Sequence, residues 1–292
     1  MKLITFVYQD EEHIGLLTAD GQSVWPLPDF ADMQELIENV AVEDIADYLD
    51  DESLPLDQVE LMAPIPYPDQ DVICLGVNFL DHARESARFA GRDFNGAREY
   101  PVYFGKRVAK ASAHGEAIPW YGGIDDCLDY EVELAVIIGE PARDVSRSEA
   151  LDYVFGYTIL NDVSARTLQK RHLQWYRGKS LDGFCPMGPC IVTKDQLPDL
   201  SRLAIRSYVN GELRQDSDLS QLIFDVAYVI SELSQGITLY PGAIIAMGTP
   251  AGVGMGFEPP RFLRPGYEVT CEIEGIGRLT NRVEEIRLSQ TH

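Results

Sequence analysis

The apolar positions change period several times along the chain, and each change predicts an element. In Leu3 to Tyr8 and Ile14 to Thr18 they alternate with polar ones around Asp10-Glu11-Glu12, the pattern of a hairpin. From Met33 to Tyr48 the spacing is helical, with Met33, Leu36, Ile37 and Val40 on one side. Prolines 64, 66 and 68 then punctuate the chain, so a small β-rich unit is expected over residues 1–66 and a larger one over 71–292. The larger unit opens with a buried-type strand, Asp71 to Asn78, followed by a helix from Phe79 to Ala90. Short strands follow at Pro101 to Phe104, Ala117 to Trp120, Val154 to Leu160 and Cys190 to Thr193. Ser146 with Glu149 three residues on reads as a capping box for a helix reaching Tyr153. Asn210-Gly211 marks the tip of a hairpin, and Leu222 to Leu233 is an amphipathic helix. A strand at Ala243 to Met247 and two more, Tyr267 to Ile273 and Arg278 to Val283, end the pattern.

One strand stands apart from the others. In Asp129-Tyr130-Glu131-Val132-Glu133-Leu134-Ala135-Val136-Ile137-Ile138-Gly139, alternation puts Glu131 and Glu133 on one face and Val132, Leu134 and Val136 on the other. Two carboxylates on one face repel each other unless a cation lies between them, and with no His or Cys nearby a hard ion, Mg²⁺ or Mn²⁺, suits them. The plainer reading is an edge strand with one solvated acidic face. Asp162 sits where the strand from Val154 passes toward a helix. It reads either as that helix's N-cap or as a third oxygen donor, with Arg166 and Gln169 within about 40° of it around the helix. His82 and Glu85, at i and i+3, read as a general base held by a carboxylate or as an exposed pair. Residues 91–99 are glycine-bearing and charged, a mobile loop that would let this segment act as a lid. Lys179, set between small residues, is either solvated or reaches an anionic group. The glycine-rich run Gly248 to Gly254 lacks the Lys-Ser/Thr ending of a P-loop and the helix of a dinucleotide site, but its amides and Thr249 can serve a carboxylate.

Composition narrows the partners. A formal charge of −23 over 292 residues argues against nucleic acid and anionic membrane surfaces. Neither a signal peptide nor a long apolar run is visible, so a soluble, cytoplasmic protein is expected. The 5 cysteines are scattered without a CxxC pair, which predicts reduced thiols rather than disulfides or zinc.

Taken in order, these motifs resemble the fumarylacetoacetate hydrolase superfamily over roughly residues 71–285. The matching elements are Gly76-Val77-Asn78 with His82 and Glu85, the Glu131/Glu133 strand, and Gly156-Tyr157 through Asp162 to Arg166. Gly178-Lys179-Ser180 to Phe184, Val209 to Glu212, and Gly248-Thr249-Pro250 to Gly254 complete the series. The resemblance implies an α+β, mostly β fold, a mixed β-sandwich roll, usually dimeric. It implies Glu131, Glu133 and Asp162 as ligands of Mg²⁺ or Mn²⁺, His82 and Glu85 as a water-activating dyad on a lid, and Lys179 as a catalytic cation. Arg166, Gln169 and Thr249 would meet a small anionic 2-oxo acid. Phe79 stands where relatives often carry tyrosine, and Met247 where threonine is frequent. The expected reaction is hydrolysis of a C–C bond in a 2,4-dioxo acid, an acylpyruvate such as fumarylpyruvate or acetylpyruvate. Its rivals are oxaloacetate decarboxylation or tautomerisation, hydration or isomerisation of a dienoate, and a non-catalytic metal-binding member.

Overall fold

The strand Val132–Ile138 is buried along its whole length because both of its faces are covered, and the molecule is layered around it. Val132, Leu134, Val136 and Ile138 point into one apolar cluster, and Ala135 and Ile137 into a second. The computed structural model describes residues 1–286 except 90, 92, 95 and 97, with only the backbone of Phe89. The expected solvated acidic face does not exist: this strand lies inside an 11-stranded sheet, between Val154–Asn161 and Ile244–Ala246.

Sheet order follows from which strands can hide both faces. The short N-terminal strands form one flank, and Lys2–Tyr8 pairs with Met187–Thr193, so the N-terminal segment and the rest of the chain share one sheet. On the other flank Ile244–Ala246 runs parallel to Val72–Gly76, which pairs with Val102–Lys106. A second, 5-stranded sheet holds Glu212–Asp218, Ala204–Val209, Glu268–Ile273, Gly277–Glu285 and Ala117–Trp120. Its apolar residues, among them Ile205, Val269, Cys271 and Val283, join the larger cluster with Leu134 and Val136. The result is an α+β fold, mostly β, of two sheets packed face to face. The second cluster fills the other face of the large sheet with Met33, Leu36 and Ile37.

Several expected helices are shorter than their patterns. Met33–Asn39 is α-helical with Asp32 as its N-cap, but Val40 is extended and Val42–Tyr48 continues as a 3₁₀ helix. The hydroxyl of Ser146 donates to the Glu149 carboxylate at 2.5 Å, a side-chain contact instead of the side-chain-to-amide bonds of a capping box, and only a 3₁₀ turn at Ala150–Tyr153 follows. Asp225 starts the helix Val226–Ser234 by accepting from the Tyr228 amide at 2.8 Å, so Leu222 lies outside it. Asn210 and Gly211, at φ 50° and 78°, make the tight hairpin tip expected of Asn-Gly. No helix among the described residues is long and apolar enough to cross a membrane. The expected mobile loop of residues 91–99 includes 92, 95 and 97, which lie outside the described residues.

Candidate active site

Two strands bring the carboxylates together. Glu131 stands at the entry to Val132–Ile138 and Asp162 just past the end of its neighbour Val154–Asn161, and the Asp162 amide donates to the Glu131 carbonyl at 2.9 Å. Glu131, Glu133 and Asp162 are all buried, and one oxygen from each lies within 4.8 Å of the others. Asp162 is therefore not a helix cap. The helix Arg166–Arg171 has Ala165 at its N-cap, and the Leu168 amide is satisfied by Asp125 at 2.7 Å.

Cations hold this cluster in place. Lys179 Nζ reaches Glu131 Oε2 at 2.6 Å and Asp162 Oδ2 at 2.5 Å. Lys106 Nζ, fully buried, donates to Asp162 Oδ1 at 2.7 Å and to the Lys179 carbonyl. Arg166 donates from Nη2 to Glu131 Oε1 at 2.6 Å and from Nε to Asp129 Oδ2 at 2.9 Å. Its Nη1 holds the Gln169 carbonyl oxygen at 3.0 Å, which turns that side chain's NH₂ away from the guanidinium. Lys106 and Asp129 were not among the residues expected at the site. Asp129 was legible, since it shares the parity of Glu131 and Glu133 along the strand; Lys106, a single lysine after an apolar run, carried no signal.

The glycine-rich run does bind carboxylates, and they belong to the chain itself. The Gly248 amide donates to Glu133 Oε2 at 2.8 Å, the Gly254 and Met255 amides to Asp129 at 2.6 and 3.0 Å, and the Gly252 amide to Glu85 at 3.1 Å. Gly248, at φ 90°, cannot carry a side chain, because a Cβ there would lie 2.9 Å from that of Asn78. Thr249 donates to the Val132 carbonyl at 2.9 Å and accepts from Gln215 Nε2 at 2.7 Å, so its hydroxyl is engaged with the fold.

Across the cavity, the helix Leu80–Phe89 supplies His82 and Glu85, with Nδ1 and Oε2 at 2.9 Å. His82 is 6% exposed, and its Nε2 has only a long 3.5 Å approach to the Ser86 hydroxyl, so the expected pair is a sheltered one. Val77, just before this helix, lines the cavity at φ 58°, a conformation uncommon for a β-branched residue. His82, Glu131, Glu133, Arg166, Gln169, Lys179 and Thr249 all face one cavity of about 540 Å³.

Burial and charge divide the carboxylates. Burial works to raise the Glu131 carboxyl, but Lys179 and Arg166 outweigh it and hold the group well below the ordinary range. Burial, with Asp162 and Glu131 adding to it, pushes Glu133 well above that range. Charge counting gives the same result: Asp129, Glu131, Glu133 and Asp162 face Lys106, Arg166 and Lys179, leaving one negative charge in excess. Either a proton on Glu133 or a bound cation removes the excess. Three converging hard oxygens and an uncompensated charge fit a divalent cation. With such an ion the inner site would carry one positive charge, suited to an anionic substrate.

Residues 71–284 match the family model described as Fumarylacetoacetate (FAA) hydrolase C-terminal. The chain belongs to the fumarylacetoacetate hydrolase family. Among members of this family it is 46% identical to the oxaloacetate tautomerase YisK of Bacillus subtilis, over 78% of this chain and 74% of that protein. A solved fumarylacetoacetate hydrolase of Exiguobacterium antarcticum superposes with a TM-score of 0.84 at 39% identity, covering 98% of this chain and 100% of that one. The 5-carboxymethyl-2-hydroxymuconate delta-isomerase of Mycobacterium smegmatis gives 0.79 at 33% identity, over 99% and 100%. This family member is an enzyme, and among the relatives and solved structures similar to it those named as a tautomerase or isomerase outnumber those named as hydrolases.

Proposed function

We propose that this enzyme moves a proton between carbon 3 and the oxygen on carbon 2 of a small 2-oxo diacid, a keto–enol conversion of which oxaloacetate is the simplest case. The observation that carries this reading is His82, sheltered and held by Glu85 at 2.9 Å, facing the same cavity as Glu131 and Glu133, with a carboxylate oxygen of the buried Asp162 within 4.8 Å of theirs. Those three carboxylates would hold Mg²⁺ or Mn²⁺, which when bound acts as a Lewis acid on the 2-oxo oxygen and makes the neighbouring C–H more acidic. His82 Nε2 takes the proton from carbon 3 and returns it to the oxygen on carbon 2, and Glu85 steadies the charge that the ring carries between the two transfers. Lys179 places an ammonium where negative charge develops on the substrate oxygen. Arg166 keeps Glu131 ionised and in position, and the Gln169 NH₂ group is left to donate to a substrate oxygen. A homodimer working in the cytoplasm is part of the same proposal.

This reading replaces C–C hydrolysis of an acylpyruvate as the first choice, because it needs only the groups described and agrees with the tautomerase at 46% identity. Hydrolysis remains the second reading, favoured by the superposable hydrolase at 39% identity; in it His82 would activate water instead of taking a carbon-bound proton. The purified protein with Mn²⁺ should speed the decay of enol-oxaloacetate, followed by its ultraviolet absorbance, and release neither CO₂ nor pyruvate. Background enol decay together with acid release from acetylpyruvate or fumarylpyruvate would transfer the proposal to the hydrolase. CO₂ release would make it a decarboxylase, and inertness toward all of these a binding protein.

A further inference from the structure

We propose that a second cavity, of about 460 Å³ and lined by the strand Glu212–Asp218 and the segment 260–267, binds a small dianion, a phosphate or a dicarboxylate, through Arg214, Arg261 and Arg264. None of the residues that line it lines the catalytic cavity. Arg214 is the reason to expect a ligand. Its side chain is 9% exposed, and while Nη2 pairs with Glu212 Oε2 at 3.0 Å, Nε and Nη1 are buried with no hydrogen-bond partner. Among the described residues the one other buried side-chain nitrogen left so is that of Trp120, which is uncharged. The Tyr130 phenol beside Arg214 donates to the Gly252 carbonyl at 2.9 Å and, kept neutral by burial, adds no counter-charge. A buried cation so poorly paired is costly unless something else compensates it.

The arginines are built into place. Pairing of Ala204–Val209 with Glu212–Asp218 shifts register so that Leu213 faces Tyr208 and Gln215 faces Ser207, which leaves Arg214 as the extra residue of a bulge, a device that re-aims a side chain. Glu212 cannot neutralise Arg214 alone, because its other oxygen holds Arg261 Nη1 at 2.8 Å. The Arg214 and Arg261 guanidiniums both lie over the Phe257 ring, at 5.2 and 4.8 Å from its centre, so one carboxylate and one ring hold the two together. Arg264 gives Nη1 to a neutral acceptor, the Asp126 carbonyl, at 2.6 Å. One carboxylate thus faces three guanidiniums along this wall, an excess of two positive charges in a chain of net charge −23. A dianion cancels that excess. Its oxygens take the remaining donors of the exposed Arg261 and Arg264, and the buried Arg214 adds a charge that water screens little.

The test is calorimetric titration of the purified full-length protein with inorganic phosphate and, separately, with malonate, at about 0.15 M chloride so that loose surface attraction is screened. The wild type should show a saturable event of one anion per chain, and the tighter of the two anions tells a phosphate site from a dicarboxylate site. Arg261→Gln combined with Arg264→Gln, both at exposed positions, should weaken that event at least about tenfold, the effect of losing charged hydrogen bonds. The same double variant should lose the rise in melting temperature that the anion gives the wild type. Arg214→Met should weaken binding as well, and where it does not fold the double variant decides alone. Binding of neither anion overturns the site. So does binding that the double variant leaves undiminished, which would place the anion elsewhere, as at Lys179 and Arg166.

Discussion

The inner end of the cavity and its mouth are built on opposite terms. At the inner end, Glu131 and Asp162 have both oxygens engaged by lysine or arginine, Glu133 is held by a backbone amide, and all three are buried. At the mouth, Lys170, Leu173 and Arg98 stand exposed. Removing a partner from a buried ion pair strands a charge in a medium that solvates it poorly, whereas an exposed charge has water as its alternative. The inner end is therefore constrained to one chemistry. The mouth is where members of one family can differ in substrate.

The strongest way to break this contrast is Asp162→Ala. It leaves Lys106 buried without its carboxylate and Lys179 with Glu131 alone, and stability should fall by about 3–5 kcal/mol, read as a lower midpoint in urea. Mn²⁺ binding, followed by calorimetry, and activity should be lost together. Wild-type stability in this variant would mean that the inner charges are solvated after all.

His82→Ala comes next and separates chemistry from architecture. The imidazole bonds only to Glu85 and Ser86 among the described residues, so Mn²⁺ affinity should hold while kcat falls about 10²–10⁴-fold. Retained turnover would take the ring out of the mechanism.

How much of this was legible in the sequence follows the same division. Glu131 and Glu133 could be paired by strand parity, and His82 with Glu85 by helix spacing, because those relations are local. Asp162 was named for its place after a strand, but its supposed capping role was wrong, since the cap comes from Asp125, 43 positions away from Leu168. Lys106 could not be found, because its value lies wholly in meeting Asp162 across 56 positions of chain. The burial of Val132–Ile138 on both faces was hidden too. Alternation predicts an exposed face, and here that face is covered by charge compensation at Glu131 and Glu133 and by the second apolar cluster at Ala135 and Ile137.

A smaller effect should appear on titration. In metal-free protein Glu133 holds its proton to higher pH than it would in the unfolded chain, so the folded state binds more protons above the unfolded carboxylate value of about 4.3. Its contribution is full below that value and is lost as pH rises toward the folded value. Glu131 has the opposite sign: its stabilisation is present above the ordinary range and lost only on acidification. The melting temperature of EDTA-treated protein should thus decline above about pH 5, and Glu133→Gln should flatten that decline. An identical slope in the variant would place the excess charge elsewhere.

Thr249→Val should have the least effect and sharpens the boundary between the two regions. Thr249 lines the cavity, yet its hydroxyl donates to the Val132 carbonyl and accepts from Gln215, which also bonds the Pro250 carbonyl at 2.8 Å. Valine keeps the shape and removes one donor and one acceptor, and Gln215 retains its second acceptor, so the cost should be about 1 kcal/mol of stability. If the hydroxyl belongs to the fold, kcat/KM stays near wild type while the melting temperature drops by a few degrees. If it meets the substrate, the pattern reverses, with the melting point held and kcat/KM reduced, and the inner, fixed region would then have to be drawn without residue 249.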